Sequence, residues 1–368
     1  MKEKSRFDYP LLIITILLVS VGILAIFSAG APFGYIGREQ TPYKWGINQI
    51  KWFLFGLLLL FLLSKIDYHF YQKIDRLIIF SVLLSLVLVF FPKVGREIRG
   101  VHRWITLGFF QVQPSEFAKI GVVLYLSASL IRKREKISSF IEGFLPYFII
   151  LSLIFFLVTI EPDLGSALII VGVGFIVLYA GGVKLRHILY VILLGIFPLY
   201  FSIFEVGYRR NRIIGFLNPE SDPQGIGFQP LHLKMSFGVG GIFGLGPGQG
   251  KQKLFYLPTP HTDSIFAVIG EEFGFIGTSI IVFMFFMLTL RGLIIAKRAR
   301  DDFGRLLAVG LTCLIGCQAL INMGVATVIL PTTGSALPFI SYGGSSLLTS
   351  LSVIGILLNV SKQKYDPA

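Results

Sequence analysis

Apolar and polar residues run in blocks along this chain. Nearly uninterrupted apolar stretches centre on 10–28, 47–64, 74–92, 114–131, 143–160, 163–180, 187–205, 264–290, 306–329 and 343–360. A hydrocarbon layer of about 30 Å takes roughly 20 helical residues to cross. The pattern therefore predicts an all-α polytopic membrane protein with ten transmembrane helices, several shortened or broken by Gly and Pro, in one membrane domain over 1–368. Ten crossings put both termini on one side. Short, cation-dense segments such as Arg132-Lys133-Arg134 with Lys136, and Lys297-Arg298 with Arg300, fall on that side, which the positive-inside rule makes cytoplasmic. The first apolar run follows MKEKSRFDY and leads into further spans, so it is expected to remain as a span rather than be cleaved as a signal. The largest polar block, about 206–263, becomes an extracytoplasmic loop between helices 7 and 8, too long for a bare connector. Its middle, roughly Gln229 to Phe237, is expected to form a short amphipathic helix in the interface.

Composition sharpens this. Of 368 residues 54% are hydrophobic and 14% charged, which excludes an ordinary soluble domain. The net charge of +13 is spread between the apolar spans. It reads as topology signal and contact with anionic lipid, not as a nucleic-acid surface. Cys313 and Cys317 lie one helical turn apart in an apolar run and are read as packing residues.

Chemistry concentrates in the polar blocks. In GREIRGVHRWITLGFFQVQPSEFAKI (Gly95 to Ile120), Arg96, Arg99 and Arg103 lie in a loop with Trp104, Pro114-Ser115-Glu116 begins a helix, and Lys119 follows Glu116 on the same face. Either this is an interfacial anchor, or it is a cationic cradle for a phosphate or pyrophosphate headgroup in which Glu116 orients Lys119. In LPTPHTDSIFAVIGEEFGFIG (Leu257 to Gly277), His261, Thr262 and Asp263 close a loop at the mouth of an apolar helix, with Glu271 and Glu272 two turns deeper. A helix cap accounts for Asp263 but not for two carboxylates inside a span, which suit a polar cavity or a proton path. LPTTGSALPFISYGGSS (Leu330 to Ser346) is read as a re-entrant or tightly folded segment, with plain packing as the alternative. Arg210 and Arg212 add cations to the long loop. Glu161 and Asp163 flank Pro162 in a hairpin, as caps or as cavity lining. GIFGLGPGQGKQK (Gly241 to Lys253) lacks the Ser/Thr and the preceding strand of a P-loop, so ATP binding is not expected.

Five motifs in order, HRWITLGFFQVQPSEFAK, EPDLGSA, RIIGFLNPESDPQGIGFQ, QKLFYLPTPHTDSIFAVIGEEFGFIG and LPTTGSALPFISYGGSSLL, closely resemble the SEDS family over nearly the whole chain. These are the peptidoglycan polymerases that include FtsW, RodA and SpoVE. YPLLI, VGREIRGVHRW, DPQGIGFQ, QKLFYLP and RKREK look more like the FtsW branch. TPHTDS and TTGSALPF depart from the usual pattern, neither at the aspartate. The resemblance implies a processive glycosyltransferase at the outer face of the cytoplasmic membrane. Its substrate would be lipid II, a disaccharide-pentapeptide on undecaprenyl pyrophosphate. It matches the family's essential aspartate to Asp263, and its important charged residues to Arg103, Glu116 and Lys119. Trp104, Arg210, Arg212, His261 and Ser341 complete the candidate substrate-binding set. The implied partners are a class B penicillin-binding protein transpeptidase and other division-site proteins. The chemistry agrees: a hydroxyl nucleophile wants a carboxylate base, and a leaving pyrophosphate wants positive charge, from Arg, Lys or a divalent ion. No cofactor and no metal-ligand cluster is evident, and a divalent cation stays open. The other readings are an elongation polymerase of the RodA type, a lipid II flippase and a scaffold for the transpeptidase. Glycan product separates polymerase from flippase. A scaffold would tolerate joint neutralisation of Arg103, Lys119 and Asp263.

Overall fold

In hydrocarbon the backbone must satisfy its own hydrogen bonds, so long apolar runs fold as helices. A computed structural model describes residues 7–36, 42–91, 94–98, 101–107, 110–254 and 256–363. The helices are α1 (Tyr9–Ile36), α2 (Lys44–Leu63), α3 (His69–Lys73), α4 (Asp75–Leu88), α5 (Pro114–Arg132), α6 (Leu145–Ile160, entered through a π-turn at Phe140–Phe144) and α7 (Leu164–Ala180). They continue with α8 (Leu185–Phe204), α9 (Gly207–Leu217), α10 (Phe228–Gly240), α11 (Ile265–Lys297), α12 (Asp302–Ala326) and α13 (Gly344–Lys362). Among the described residues eight helices are long and apolar enough to cross a membrane. The expected third and sixth spans are shorter helices, α4 with 14 residues and α7 with 17.

The bundle has a polar-laced centre and a lipid-like rim. α5, α12 and α13 are mostly buried, whereas α2 and α8 leave most of their surface exposed. α13 packs on α2 and α12, α12 on α5, α7 and α11, and α5 on α4 and α7. Close crossings need small residues. A Cβ on Gly310 of α12 would stand 2.5 Å from Val123 of α5, and one on Gly355 of α13 would stand 2.6 Å from the Leu60 carbonyl of α2.

The two ends differ. At the end where Lys362 lies over the Phe7 ring, ion pairs tie helices together. Arg291 binds Asp8, Arg132 grips Asp75 through both nitrogens at 3.0 and 2.8 Å, and Arg134 reaches Asp302. The opposite end carries the irregular backbone. Here the loop expected before α5 is a three-stranded antiparallel sheet, β1 (Gly95–Ile98), β2 (Val101–Leu107) and β3 (Phe110–Val112) in the order β1-β2-β3. Arg96 is on β1, and Arg99 lies outside the described residues. The long block 206–263 contains α9 and α10. The latter matches the helix expected around Gln229 to Phe237, and the former was not foreseen.

α11 is broken. Gly274 sits at φ 65°, a left-handed backbone inside a helix. The break frees carbonyls and amides that must be satisfied, and the Gly-rich 241–250 segment satisfies them. The amides of Leu245 and Gly246 donate to the carbonyls of Glu271 and Glu272 at 3.0 and 2.9 Å, and those of Phe275 and Ile276 donate to Gly241 and Ile242. A Cβ on Gly244, itself at φ +81°, would meet the Glu272 carbonyl at 2.3 Å. The glycines are there for backbone approach, not for phosphate. Gly248, at φ +79°, has open space around it. Gly244→Ala is therefore expected to destabilise by more than the roughly 1–2 kcal/mol of left-handed strain, while Gly248→Ala costs the strain alone. Thermal unfolding of the two purified variants should rank them in that order.

Candidate functional site

The half-helix of α11 before the break begins at the loop 257–264. Ser264, not Asp263, is the N-cap, and no side chain caps the helix. The carboxylate of Asp263 instead turns back into the loop. Its Oδ1 accepts the hydroxyls of Thr259 and Thr262, each at 2.7 Å. Thr259 is held at φ 44°, an uncommon conformation for a β-branched residue, and that conformation accompanies its hydroxyl's reach to Asp263. Oδ2 takes no hydrogen bond among the described residues, and a Cβ on Gly334 would stand 3.8 Å from it. One oxygen is fixed and the other is available.

The loop is held through its main chain. The carbonyls of His261, Thr262 and Asp263 accept from the Tyr342 amide (2.8 Å), the Ser341 hydroxyl (2.6 Å) and the Asn322 amide side chain (3.1 Å). Asn322 also donates to the Ser335 carbonyl at 2.7 Å, and Gln318 one turn earlier donates to Ala336 at 3.0 Å. The segment 327–343 is irregular yet buried at Leu337, Phe339, Ile340 and Ser341, as expected for non-helical backbone surrounded by protein. Gln49 of α2 donates to the Ser341 carbonyl at 3.2 Å. His261 stacks on Trp45 with ring centroids 4.5 Å apart, and Tyr342 meets Trp45 edge-on.

Glu116 and Lys119 form a buried pair at 2.7 Å. Lys119 also donates to Gln318 at 3.3 Å, and Thr349 donates to Glu116 at 3.3 Å. This pair therefore lies within the polar network under segment 327–343, joined to Asp263 through α12. The cations nearest the surface are different ones. Half-buried Arg103, on β2 beside half-buried Trp104, sends Nε to the Glu161 carbonyl at 2.7 Å and Nη2 to the Pro162 carbonyl. Arg212 is exposed, sits over the Tyr208 ring and donates to the Thr332 carbonyl at 3.2 Å. Tyr208 donates to Pro162. Arg210 is exposed. Arg209, which the sequence did not single out, is buried and spends its donors on Ser202 and Thr159, pinning α9 to α6 and α8.

The hairpin 161–163 thus lies between β2 and α9. It adjoins the turn that faces Asp263, because a Cβ on Gly165 would touch Thr333 at 3.2 Å. Asp163 caps α7 through the Ser166 amide and accepts from Gln113 and Ser115. Glu161 is fully buried, and neither carboxyl oxygen has a hydrogen-bond partner among the described residues. Burial and the nearby Asp163 push its carboxyl up to about 8, against the pull of Arg103.

Glu271 and Glu272 have structural partners. Glu271 accepts the amides of Lys251 and Gln252 at 2.7 and 3.1 Å. Glu272 meets Lys253 at 2.6 Å and accepts the Ser28 hydroxyl of α1, and Lys253 also donates to Ser28 and the Gly248 carbonyl. Together they clamp the Gly-rich segment onto broken α11. Asn322, Gln318, Gln49 and Thr259 were missed by the sequence reading. The signal for the first two was a pair of amides four residues apart inside an apolar span.

Fold and site define a polytopic membrane protein with a carboxylate held at the mouth of a broken helix and a group of arginines on the loops around it. The family model of the FtsW, RodA and SpoVE cell cycle proteins matches residues 9–366. The "Probable peptidoglycan glycosyltransferase FtsW" of Geobacter metallireducens is 43% identical over 98% of this chain and 96% of its own. Stage V sporulation protein E of Bacillus subtilis is 38% identical over 98% of each. Among solved structures, a chain of a peptidoglycan synthase complex superposes with TM-score 0.80 at 28% identity, covering 98% of this chain and 99% of that one. The Rod shape determining protein RodA of Thermus thermophilus gives 0.70 at 26%, covering 98% of each. The chain belongs to the FtsW/RodA/SpoVE family.

The buried Glu272–Lys253 pair makes an energetic test. Lys253→Met leaves an uncompensated buried carboxylate and is expected to cost roughly 3–5 kcal/mol. Adding Glu272→Met removes that charge and should restore most of the loss, as read by thermal unfolding of both variants.

Proposed function

We propose that this chain is a peptidoglycan glycosyltransferase that polymerises lipid II at the outer face of the cytoplasmic membrane, in septal wall synthesis. The observation that carries the chemistry is the asymmetry of Asp263, with Oδ1 held by two threonine hydroxyls and Oδ2 open. A sugar hydroxyl attacks the anomeric carbon of a second lipid-linked sugar. The bond from that carbon to the pyrophosphate breaks as the new glycosidic bond forms, and the hydroxyl proton passes to Oδ2. General-base help of this kind is worth roughly 10²–10⁴-fold. The departing pyrophosphate needs positive charge, and we assign Arg103, Arg212 and exposed Arg210 to it. A divalent cation, where the reaction uses one, would add positive charge for the leaving pyrophosphate. Glu116 and Lys119 act beneath the site, through Gln318, on the segment that carries it. Ser341 and His261 hold the Asp263 loop, and Trp104 belongs to the membrane-interface belt.

The sidedness follows from the charge pattern. The cation-rich connections around Arg132–Lys136 and Lys297–Arg300 lie at the end shared by the termini, which we take as cytoplasmic. The site is at the other end, where lipid-linked sugars are consumed. Division rather than elongation is favoured because relatives 43% identical are named FtsW. A class B penicillin-binding protein transpeptidase is the proposed partner, supported by the likeness to a chain of a synthase complex that couples polymerization and crosslinking.

Purified protein given lipid II and the cognate transpeptidase should make glycan strands, and the same assay with chelator and without the transpeptidase reads what each contributes. Asp263→Asn should lose at least 10²-fold in rate while its melting temperature stays that of wild type. Leaflet exchange of lipid II without glycan would favour a flippase instead. A second variant, Thr259→Val, removes one donor to a charged oxygen, worth about 1.5–3 kcal/mol, and should lower the rate by about tenfold or more.

A further inference from the structure

Arg103 is an unusual cation. Its Nε and Nη2 are bound to two main-chain carbonyls of the 161–163 hairpin, and among the described residues it forms no ion pair. A carboxylate from the same hairpin lies within reach of its field, that of Glu161, yet the two side chains share no hydrogen bond. A guanidinium beside an ionised, buried carboxylate would be drawn into a bidentate pair, the strongest contact either group can make. The observed arrangement, with Arg103 on carbonyls and both Glu161 oxygens orphaned in full burial, is that of a neutral carboxylic acid beside an uncompensated cation.

The surroundings explain the neutrality. Asp163, in the same hairpin, accepts from the Ser166 amide, Gln113 and Ser115, and its proximity raises the Glu161 carboxyl. From α9, Arg209 is committed to Ser202 and Thr159, and Tyr208 to Pro162. Among the described residues, the uncharged Gln113 and Ser115 reach the hairpin from the α5 side, and Thr333 of the 327–343 segment lies against Gly165 just after it. Among the described residues, Arg103 is thus the cation bonded to the main chain of the hairpin that no carboxylate neutralises. Burial and Asp163 together outweigh it, and the Glu161 carboxyl titrates near 8 instead of in the ordinary carboxylate range.

We propose that Glu161 is a positioning residue that carries a proton in the resting protein, leaving the charge of Arg103 free for the anionic pyrophosphate headgroup of the substrate. Loss of that proton gives Arg103 an internal counter-ion, which competes with the substrate. The proposal rests on the assignment of Arg103 to the pyrophosphate made above.

The sign of the effect is fixed. Below about pH 8 Glu161 is neutral and Arg103 is available. Above it, the new carboxylate weakens headgroup binding, so KM for lipid II rises with pH while kcat changes less. Polymerisation measured from pH 6.5 to 9.5 should show the wild-type KM rising about fivefold or more, with a midpoint near 8, and the KM of Glu161→Gln staying flat. In Arg103→Gln the KM should be high at every pH and its alkaline rise lost, since the two groups act through each other. Parallel pH profiles for wild type and Glu161→Gln would overturn the proposal.

Two further measurements separate its failure from that of the functional reading. Difference infrared spectra of wild type against Glu161→Gln at pH 6.5 should contain the carbonyl stretch of a protonated carboxylic acid, which disappears by pH 9.5. Its absence at pH 6.5 overturns the proposal whatever the enzyme does. Binding of undecaprenyl pyrophosphate without turnover should weaken with pH in wild type and not in Glu161→Gln. If the infrared band is present but this binding ignores both Arg103→Gln and pH, Arg103 does not hold pyrophosphate and the proposed coupling falls with that assignment. Should Glu161→Gln not fold, Glu161→Met fills the same volume without a charge and serves in its place.

Discussion

Three consecutive carbonyls decide where the Asp263 carboxylate sits. Those of His261, Thr262 and Asp263 are taken by the Tyr342 amide, the Ser341 hydroxyl and the Asn322 side chain. Polar backbone buried in a membrane protein cannot go unpaired, so two irregular segments, 257–264 and 327–343, complete each other. Neither could lie at this depth alone. The loop that bears Asp263 is therefore rigid without being helical, and the free Oδ2 of Asp263 points where Gly334 leaves room.

The rest of the bundle serves that pairing. α12 supplies Asn322 and Gln318 from two successive turns, and Gln318 in turn meets Lys119, whose charge is balanced by Glu116. α2 supplies Gln49 and Trp45 from the other side. On the far side of the site, the break in α11 at Gly274 is sealed by the Gly-rich segment and clamped by Glu271, Glu272 and Lys253. Among the described residues, buried charges are paired, hydrogen-bonded or, at Glu161, kept neutral, as their desolvation cost requires. Among the described residues, Arg103, Arg210 and Arg212 lie at the same end and none of them forms an ion pair.

Much of this was legible in the order of residues. Apolar blocks give the spans, because in lipid every long apolar run has one way to satisfy its backbone. Asp263 stood out as a charge at a helix mouth, and the Leu330–Ser346 stretch as irregular backbone with no polar solvent to excuse it. The sheet at 95–112 was not legible: its strands are short and carry Gly and Arg where alternation would signal β-structure. The roles of Glu271 and Glu272 were hidden as well. Their partners, the amides of 251 and 252 and the side chain of Lys253, lie some twenty residues away and come together only once Gly274 has broken the helix. The roles of Asn322 and Gln318 were hidden too, since nothing local reveals which carbonyl a buried amide will meet. The bias of Glu161 toward its neutral form depends on burial and on Asp163, and only the folded hairpin supplies both.

The central claim is that Asn322 couples the two irregular segments and so fixes Asp263. Amide hydrogen exchange of Asn322→Leu, read at 259–264 and 331–342 alongside lipid II polymerisation, tests it directly. Faster exchange is expected in both segments together, with little change in α5 and α13 and a rate lowered by tenfold or more. Faster exchange in one segment only, or unchanged exchange with full activity, would contradict it.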